Sequence, residues 1–314
     1  MKLVVQIPCY NEAATLADVI KDIPRKIVGV DCIEILVIDD GSRDESYNIA
    51  KECRVDHIIR HPVNNGLADA FRSGLDRCRE LDADIVVNID ADNQYDAKEI
   101  PMLVQPILEQ HCDVVVGNRD PSNLAHFSFA KRVMQKLGSR VVSILSKIDI
   151  PDATSGFRAY SKDALFKLTI ETDFSHSLET LVQARWKGLR VVSLPIRARH
   201  TERASRLASS NREFVFKSIA TLVRVVTFYR PLSFYWSLGA FMGLLGTAPM
   251  MRFLWFFFNG DGRGHIQSLV IGGTFVIIGT SCLLFGVLAN QINSNRRLLE
   301  ETNERLRRMD YQNR

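Results

Sequence analysis

The chain has 314 residues, 40 lysines and arginines against 36 aspartates and glutamates, a formal net charge of +4 and 46% hydrophobic residues. That length holds one large domain with an appendage, or two small domains, and the modest, local positive charge, with no recognised nucleic-acid-binding motif beside it, argues against nucleic acid as a partner. Six cysteines form no CxxC pair and no metal-ligand spacing, which speaks against a zinc or disulfide framework and, with no cleavable signal, predicts reduced thiols in a cytosolic compartment, packed as small hydrophobes.

Leu3-Val4-Val5-Gln6-Ile7 reads as a first strand, ended by Pro8, and Cys9-Tyr10-Asn11-Glu12 leads into a helix over 13–23. Ile33 to Ile38 form a second strand with the turn Asp39-Asp40-Gly41-Ser42, then a helix over 44–53. His57-Ile58-Ile59-Arg60 is a short third strand, and Asn64-Asn65-Gly66 precedes a helix over 67–79. The apolar, β-branched run Ile85-Val86-Val87-Asn88-Ile89 is a fourth strand ending on Asp90-Ala91-Asp92-Asn93-Gln94-Tyr95. Strands alternating with helices predict a parallel sheet covered on both faces, an α/β fold. In such sheets ligands bind at the carboxyl edge, where Asp90 and Asp92 sit one residue apart. A hard cation such as Mg²⁺ or Mn²⁺ takes oxygen ligands and is often held by one or two carboxylates plus substrate phosphates. The bland alternative is that the two acids cap the next helix.

Further on, a helix over 100–110 precedes the strand Asp113-Val114-Val115-Val116-Gly117, followed by Asn118-Arg119. Residues 127–147 read as a basic amphipathic helix, either functional or a solvated face. Asp152-Ala153-Thr154-Ser155-Gly156-Phe157-Arg158 is a polar turn opening onto Ala159-Tyr160, with a helix from about Lys162, another over 178–187 and a last strand over 191–196. A basic block follows, with Arg199, Arg203, Arg206, Arg212, Lys217 and Arg224 against Glu202 and Glu213. Placed just before apolar sequence, it suits anionic headgroups or phosphates.

The expected division is a catalytic domain over 1–210, an amphipathic interfacial helix over 211–231, two transmembrane helices within 232–290 and a helical tail over 291–314. Arg224 and Arg230 before the spans, with Arg296 and Arg297 after them, put both chain ends in the cytoplasm, although Arg252 and Arg263 point the other way. The expected location is therefore the plasma (inner) membrane, multi-pass, with the catalytic domain cytoplasmic. Leu298, Leu299 and Leu306 share a stripe of the tail, which is either solvated or a contact within a homo-oligomer.

Four ordered motifs, Ile7 to Glu12, Val37 to Ser42, Asp90 to Gln94 and Asp152 to Arg158, resemble those of family 2 glycosyltransferases of the GT-A fold, over roughly residues 1–230. The likeness is to the polyprenyl-phosphate, dolichyl-phosphate mannose synthase-like branch. Asn93 stands where other members often carry leucine. The resemblance implies a Rossmann-like, mostly parallel sheet with helices on both faces, and a nucleotide-sugar pocket lined by Pro8, Tyr10, Glu12, Asp39, Asp40, Ala91 and Asp90. It implies a divalent cation on Asp90, Asp92 and Gln94, and an acceptor phosphate held by Arg119 and Arg158 with a hydrogen bond from Ser155. Arg203-Ala204-Ser205-Arg206 stands where the family has a Gly-Glu-Ser-Lys-like loop, so Arg203 and Arg206 would clamp the donor diphosphate.

The implied reaction moves a hexose from a UDP- or GDP-sugar to a polyprenyl phosphate, undecaprenyl or dolichyl, with inversion. Its chemistry is coherent on its own terms. The leaving nucleoside diphosphate needs charge neutralisation, and an already anionic phosphate acceptor needs little general-base help, whereas an alcohol needs a base. Glu179 is the candidate base in that second case, or else a helix-surface or supporting carboxylate. Gln183-Ala184-Arg185-Trp186 is one residue short of the Gln-x-x-Arg-Trp signature of processive synthases of the same fold, a rotation of roughly 100° on a helix. A non-catalytic nucleotide-sugar-binding scaffold is the remaining alternative.

Overall fold

The computed structural model describes residues 1–119, 140, 143, 150–170, 176–199, 220, 223–224, 226–260 and 263–312. The chain divides into two compact units, Met1–Ile219 and Ala220–Arg314.

The first unit is built on a seven-stranded sheet ordered β3-β2-β1-β4-β6-β5-β7, from β1 (Lys2–Cys9), β2 (Cys32–Asp39), β3 (His57–Arg60), β4 (Ile85–Asn88), β5 (Val114–Asn118), β6 (Arg158–Ser161) and β7 (Val191–Pro195). All neighbouring pairs are parallel except those of β6, which runs antiparallel to both β4 and β5. The sheet is therefore mixed, mostly parallel. Residues 158–161, expected to leave a turn, form a strand in the middle of it. Four residues are too few to display an alternating pattern, and their placement comes from partners far away: Ala159 lies opposite both Val87 and Val115.

Helices α1 (Leu16–Asp22) and α4 (Ile100–Leu108) bury Leu16, Val19, Ile20, Leu103 and Val104 with Leu3, Val5, Ile7, Ile35, Val37, Val87 and Val115. Successive strand residues face opposite sides, so Gln6 and Ile38 point the other way. There they meet α3 (Leu67–Glu80), where a Cβ on Gly74 would lie 2.5 Å from Gln6 Oε1 and 3.0 Å from Ile38. The remaining helices of this unit among the described residues are α2 (Ser46–Glu52), α5 (Lys162–Lys167) and α6 (His176–Trp186). All six cysteines are free thiols, with Cys9, Cys78 and Cys112 buried and Cys32 exposed.

The direction of β6 matters for function. The carboxyl ends of β1, β2, β4 and β5 share one edge of the sheet, and an antiparallel β6 must enter from that edge. Asn88 lies opposite Arg158, and Asn88 Nδ2 donates to Gly156 O at 2.7 Å. Segment 152–157 is thereby delivered beside Asp90.

In the second unit, α7 (Pro231–Phe258) and α8 (Ile266–Gln312) are long and apolar enough to cross a membrane. Glycines let their backbones approach: a Cβ on Gly246 would lie 2.6 Å from Gly272 O, and one on Gly279 would lie 2.8 Å from Gly239 O. Phe241, Leu244, Trp255, Ile277 and Leu284 are exposed, as lipid-facing residues would be. The second span and the tail, expected as separate helices, are one helix of 47 residues, about 70 Å long against a hydrocarbon core of about 30 Å. The basic helix expected over 127–147 lies outside the described residues apart from Arg140 and Ser143, and so does most of the interfacial helix expected over 211–231.

Candidate active site

The loops after β1 and β2 are stitched together. Asn11, at φ +52°, donates from its backbone to Ser42 Oγ (2.9 Å) and accepts at Oδ1 from Arg43 N (2.8 Å). Glu12 N donates to Ser46 Oγ (2.9 Å) and Ala13 N to Asp44 Oδ2 (3.1 Å). These contacts fix one wall of a cavity of about 420 Å³ lined by Tyr10, Gly41, Ser42, Arg43, Arg60, His61, Pro62, Val63 and Asn64. Pro8, on β1, is buried.

Asp39, at the end of β2, is fully buried, and its Oδ1 accepts from Ser42 N at 2.9 Å. Arg60 Nε stands 3.2 Å from Oδ2 without hydrogen-bond geometry, so that oxygen keeps an open acceptor direction. Arg60 also stacks on the Tyr47 ring, 4.3 Å from its centroid.

Asp40 has a different fate. Its Oδ1 meets His61 Nδ1 at 2.7 Å and Asn65 N at 3.0 Å, its Oδ2 accepts from Gly66 N at 2.8 Å, and the residue is buried. Its carboxylate braces the loop before α3.

Asp90 and Asp92 follow β4. Asp90 Oδ1 is buried and meets no hydrogen-bond partner among the described residues. Burial, reinforced by the Asp92 charge, pushes its pKa up to about 7. Gly156 lies against this carboxylate, where a Cβ would stand 2.5 Å from Oδ2 and 2.8 Å from Oδ1. Gly156 N donates to Tyr95 Oη (3.0 Å), and burial raises the Tyr95 phenol to about 12. Asp92 Oδ1 accepts from Gln94 N (3.0 Å), and Ala91 O accepts from Thr15 Oγ1 (2.7 Å). No group of three histidines, cysteines or acids converges among the described residues. A pair of carboxylates, one oxygen of which has no partner among the described residues, fits an oxygen-seeking dication that would share them with substrate phosphate.

Arg119, just beyond β5, makes a bidentate pair with Asp152 (Nε to Oδ2 2.7 Å, Nη2 to Oδ1 3.0 Å) and also donates to Thr154 Oγ1 (3.1 Å) and Gln94 Oε1 (3.3 Å). Of the five guanidinium N–H groups, these contacts leave one, on the Nη1 arm beside Gln94. Burial alone would raise the Asp152 carboxyl, but Arg119 outweighs it and holds that carboxyl below its usual range.

Arg158 is not where the resemblance implies. It is fully buried, and its guanidinium donates to Ser155 O (2.8 Å), Ser177 O (2.7 Å), Thr180 Oγ1 (2.8 Å) and Ala153 O (2.8 Å). With four of its N–H groups aimed at three carbonyls and the Thr180 hydroxyl, and no exposed surface, it ties segment 152–158 to α6. Ser155 is buried as well, and its hydroxyl meets no hydrogen-bond partner among the described residues. Arg203 and Arg206 lie outside the described residues. Glu179 is buried, not on a helix surface, and accepts from Gln183 Nε2 at 3.3 Å. Gln183 clamps Thr169, accepting from its N–H and donating to its carbonyl, a structural task for the glutamine of the Gln-Ala-Arg-Trp stretch.

Several residues that shape the site have no individual role assigned from the sequence: Arg60, Tyr95, Asp152, Gly156 and Arg199. Their partners lie far along the chain, as with Tyr95 and Gly156, 61 positions apart.

A mostly parallel sheet with helices on both faces and paired acids beyond a central strand defines a GT-A-type glycosyltransferase. The family profile described as glycosyl transferase family 2 matches residues 4–169, more than half of the chain, and the protein belongs to that family. It is similar to the UDP-N-acetylglucosamine–dolichyl-phosphate N-acetylglucosaminyltransferase of Methanococcus voltae, 30% identical over 217 residues, covering 62% of this chain and 85% of that one. The dolichol-phosphate mannosyltransferase of Pyrococcus furiosus is 28% identical over 271 residues, 82% of this chain and 73% of the relative. Among solved structures, glucosyl-3-phosphoglycerate synthase of Mycobacterium tuberculosis, crystallised with Mn²⁺ and UDP, shares the fold at a TM-score of 0.55 and 20% identity, covering 70% of this chain and 79% of that one.

Proposed function

We propose that this glycosyltransferase moves a hexose from a UDP- or GDP-sugar to a membrane-borne polyprenyl phosphate, inverting the anomeric configuration, from the cytoplasmic face of the membrane. One observation carries the reading: at the rim of the sheet, Asp90 presents a buried oxygen with no partner among the described residues, one residue from Asp92, against a glycine that leaves it room. Polyprenyl-phosphate acceptors in the names of the relatives and the two apolar helices support the choice of a lipid-borne acceptor.

Asp90 and Asp92, with Gln94 beside them, would hold a divalent cation. Bound there, the cation supplies charge neutralisation for the departing nucleoside diphosphate. Asp39 offers one open carboxylate oxygen to a base N–H, and Tyr10 lines the cavity alongside. Arg119, locked by Asp152, keeps its last N–H beside Gln94 and is the fixed positive group for the acceptor phosphate. A guanidinium already oriented loses little on binding. The acceptor phosphate is anionic at neutral pH, so no side chain has to remove a proton before it attacks.

The test is turnover by the full chain in detergent, with a panel of nucleotide sugars and Mn²⁺, in the presence and absence of polyprenyl phosphate. The expected result is nucleoside diphosphate release that requires the lipid and stops with chelator, with a polyprenyl-phosphate sugar as product. Polymer formation, or nucleotide binding without turnover, would overturn the proposal.

A further inference from the structure

We infer that Arg199 is a positioning residue for the cation-binding turn, acting through Asn93 to set the spacing of Asp92 and Gln94. The inference rests on the cation reading above and adds a residue to which no part of that reading gives a role.

Asn93 sits between the two groups with φ +58°, a left-handed conformation that costs most residues free energy and asparagine less. Its Oδ1 accepts from Arg199 Nη1 at 2.7 Å. The other arm of the same guanidinium, Nη2, lies 2.7 Å from Asp22 Oδ2 at the end of α1 and 2.7 Å from Asp96 Oδ1 just beyond the turn. Along the backbone, Arg199 N donates to Gln94 O at 2.8 Å, and Ala198 pairs as an antiparallel bridge with Tyr95.

One residue therefore grips the turn from both sides, its main chain on Gln94 and its side chain on Asn93. The two acids anchor the grip to neighbouring segments. A planar guanidinium can serve acceptors in these separate directions at once, whereas an ammonium is a point charge on a flexible stem. The acids alone would account for a surface ion-pair cluster. Of the side-chain contacts, only that to Asn93 lands within the segment that carries Asp90, Asp92 and Gln94.

The experiment titrates Mn²⁺ against UDP and GDP binding by calorimetry, using the full chain in detergent. Arg199→Met should raise the Mn²⁺ concentration for half-maximal nucleotide binding by about tenfold, the size expected when a support of a metal ligand is lost. Metal-independent nucleotide binding and the KM for polyprenyl phosphate should not change, and Arg199→Lys should fall between. Asn93→Gly relieves the left-handed strain but removes the contact; it should shift the Mn²⁺ requirement as Arg199→Met does, and the double variant should add nothing. Asp22→Asn removes an ion pair and keeps the Asn93 contact, so its Mn²⁺ requirement should stay at the wild-type value.

An unchanged requirement in Arg199→Met, an equal shift in Asp22→Asn, or additive single effects would overturn the inference. Should Arg199→Met fail to fold, an unshifted Asn93→Gly overturns it alone. Wild-type nucleotide binding indifferent to Mn²⁺ would sink the cation reading itself, and Arg199 with it. Mn²⁺-dependent binding without any sugar transfer would sink only the proposed reaction.

Discussion

Two strand ends of this molecule carry acids in close succession, and the sheet treats them differently. At the end of β2, Asp40 is saturated by His61, Asn65 N and Gly66 N. At the end of β4, Asp90 has an oxygen with no partner among the described residues, and burial, reinforced by a neighbouring carboxylate, raises its pKa. A buried polar atom without a partner costs about 1–3 kcal/mol, a penalty easily avoided by substitution, so its persistence points to a ligand.

Breaking the β4 end should have the largest effect. Asp92→Ala should lower sugar transfer by about a thousandfold while the melting temperature stays within about 2 °C; normal rates in chelator-treated enzyme would refute the cation assignment. Arg158→Met tests the opposite claim, that this cation is scaffold. Leaving Ser155 O, Ser177 O and Ala153 O without their charged donor should cost about 3 kcal/mol or more, roughly 6–12 °C in melting temperature. The KM for lipid phosphate in whatever folds should be unchanged, and a selective rise would restore Arg158 to the acceptor site.

Gly156→Ala probes the room left for Asp90. A methyl 2.5 Å from Oδ2 must displace the carboxylate, and a misplacement of about 1 Å costs about a hundredfold in rate, measurable by initial-rate kinetics at saturating Mn²⁺. Asp40→Ala, at the saturated end, should cost about 1–3 kcal/mol of stability by thermal unfolding, without altering the Mn²⁺ requirement.

The smallest effect is with pH. Burial raises the Asp90 pKa to about 7, so below that pH the carboxyl holds a proton that a cation must displace. Mn²⁺-dependent nucleotide binding should therefore strengthen as pH rises from 6 to 8. In the metal-free protein the sign is reversed: the folded state keeps this proton where the unfolded chain has lost it, so the contribution to stability declines as pH climbs from the ordinary carboxylate range towards 7.

Much of this was legible in the chain. Apolar runs gave strands β1, β2 and β4, and the acids that end the last two placed Asp39, Asp90 and Asp92 at one edge, because strand periodicity and carboxyl-edge binding are local rules. What stayed hidden depends on distant partners. β6 has too few residues to announce itself and exists because Val87 and Val115 flank it. Arg158 reads as a free cation in a polar turn, and only the folded arrangement surrounds it with carbonyls. Arg199 looks like one more member of a basic block, although it holds Asn93 across 106 positions. The join between second span and tail was missed because composition changes there while the backbone hydrogen bonding does not.

That uninterrupted α8 has a mechanical consequence. A helix without a break has no swivel, so a rotation applied at its charged tip is carried through to its apolar half. Whatever grips the tail, whether a neighbour, a salt bridge or a headgroup, also selects which side chains of the apolar half look outward.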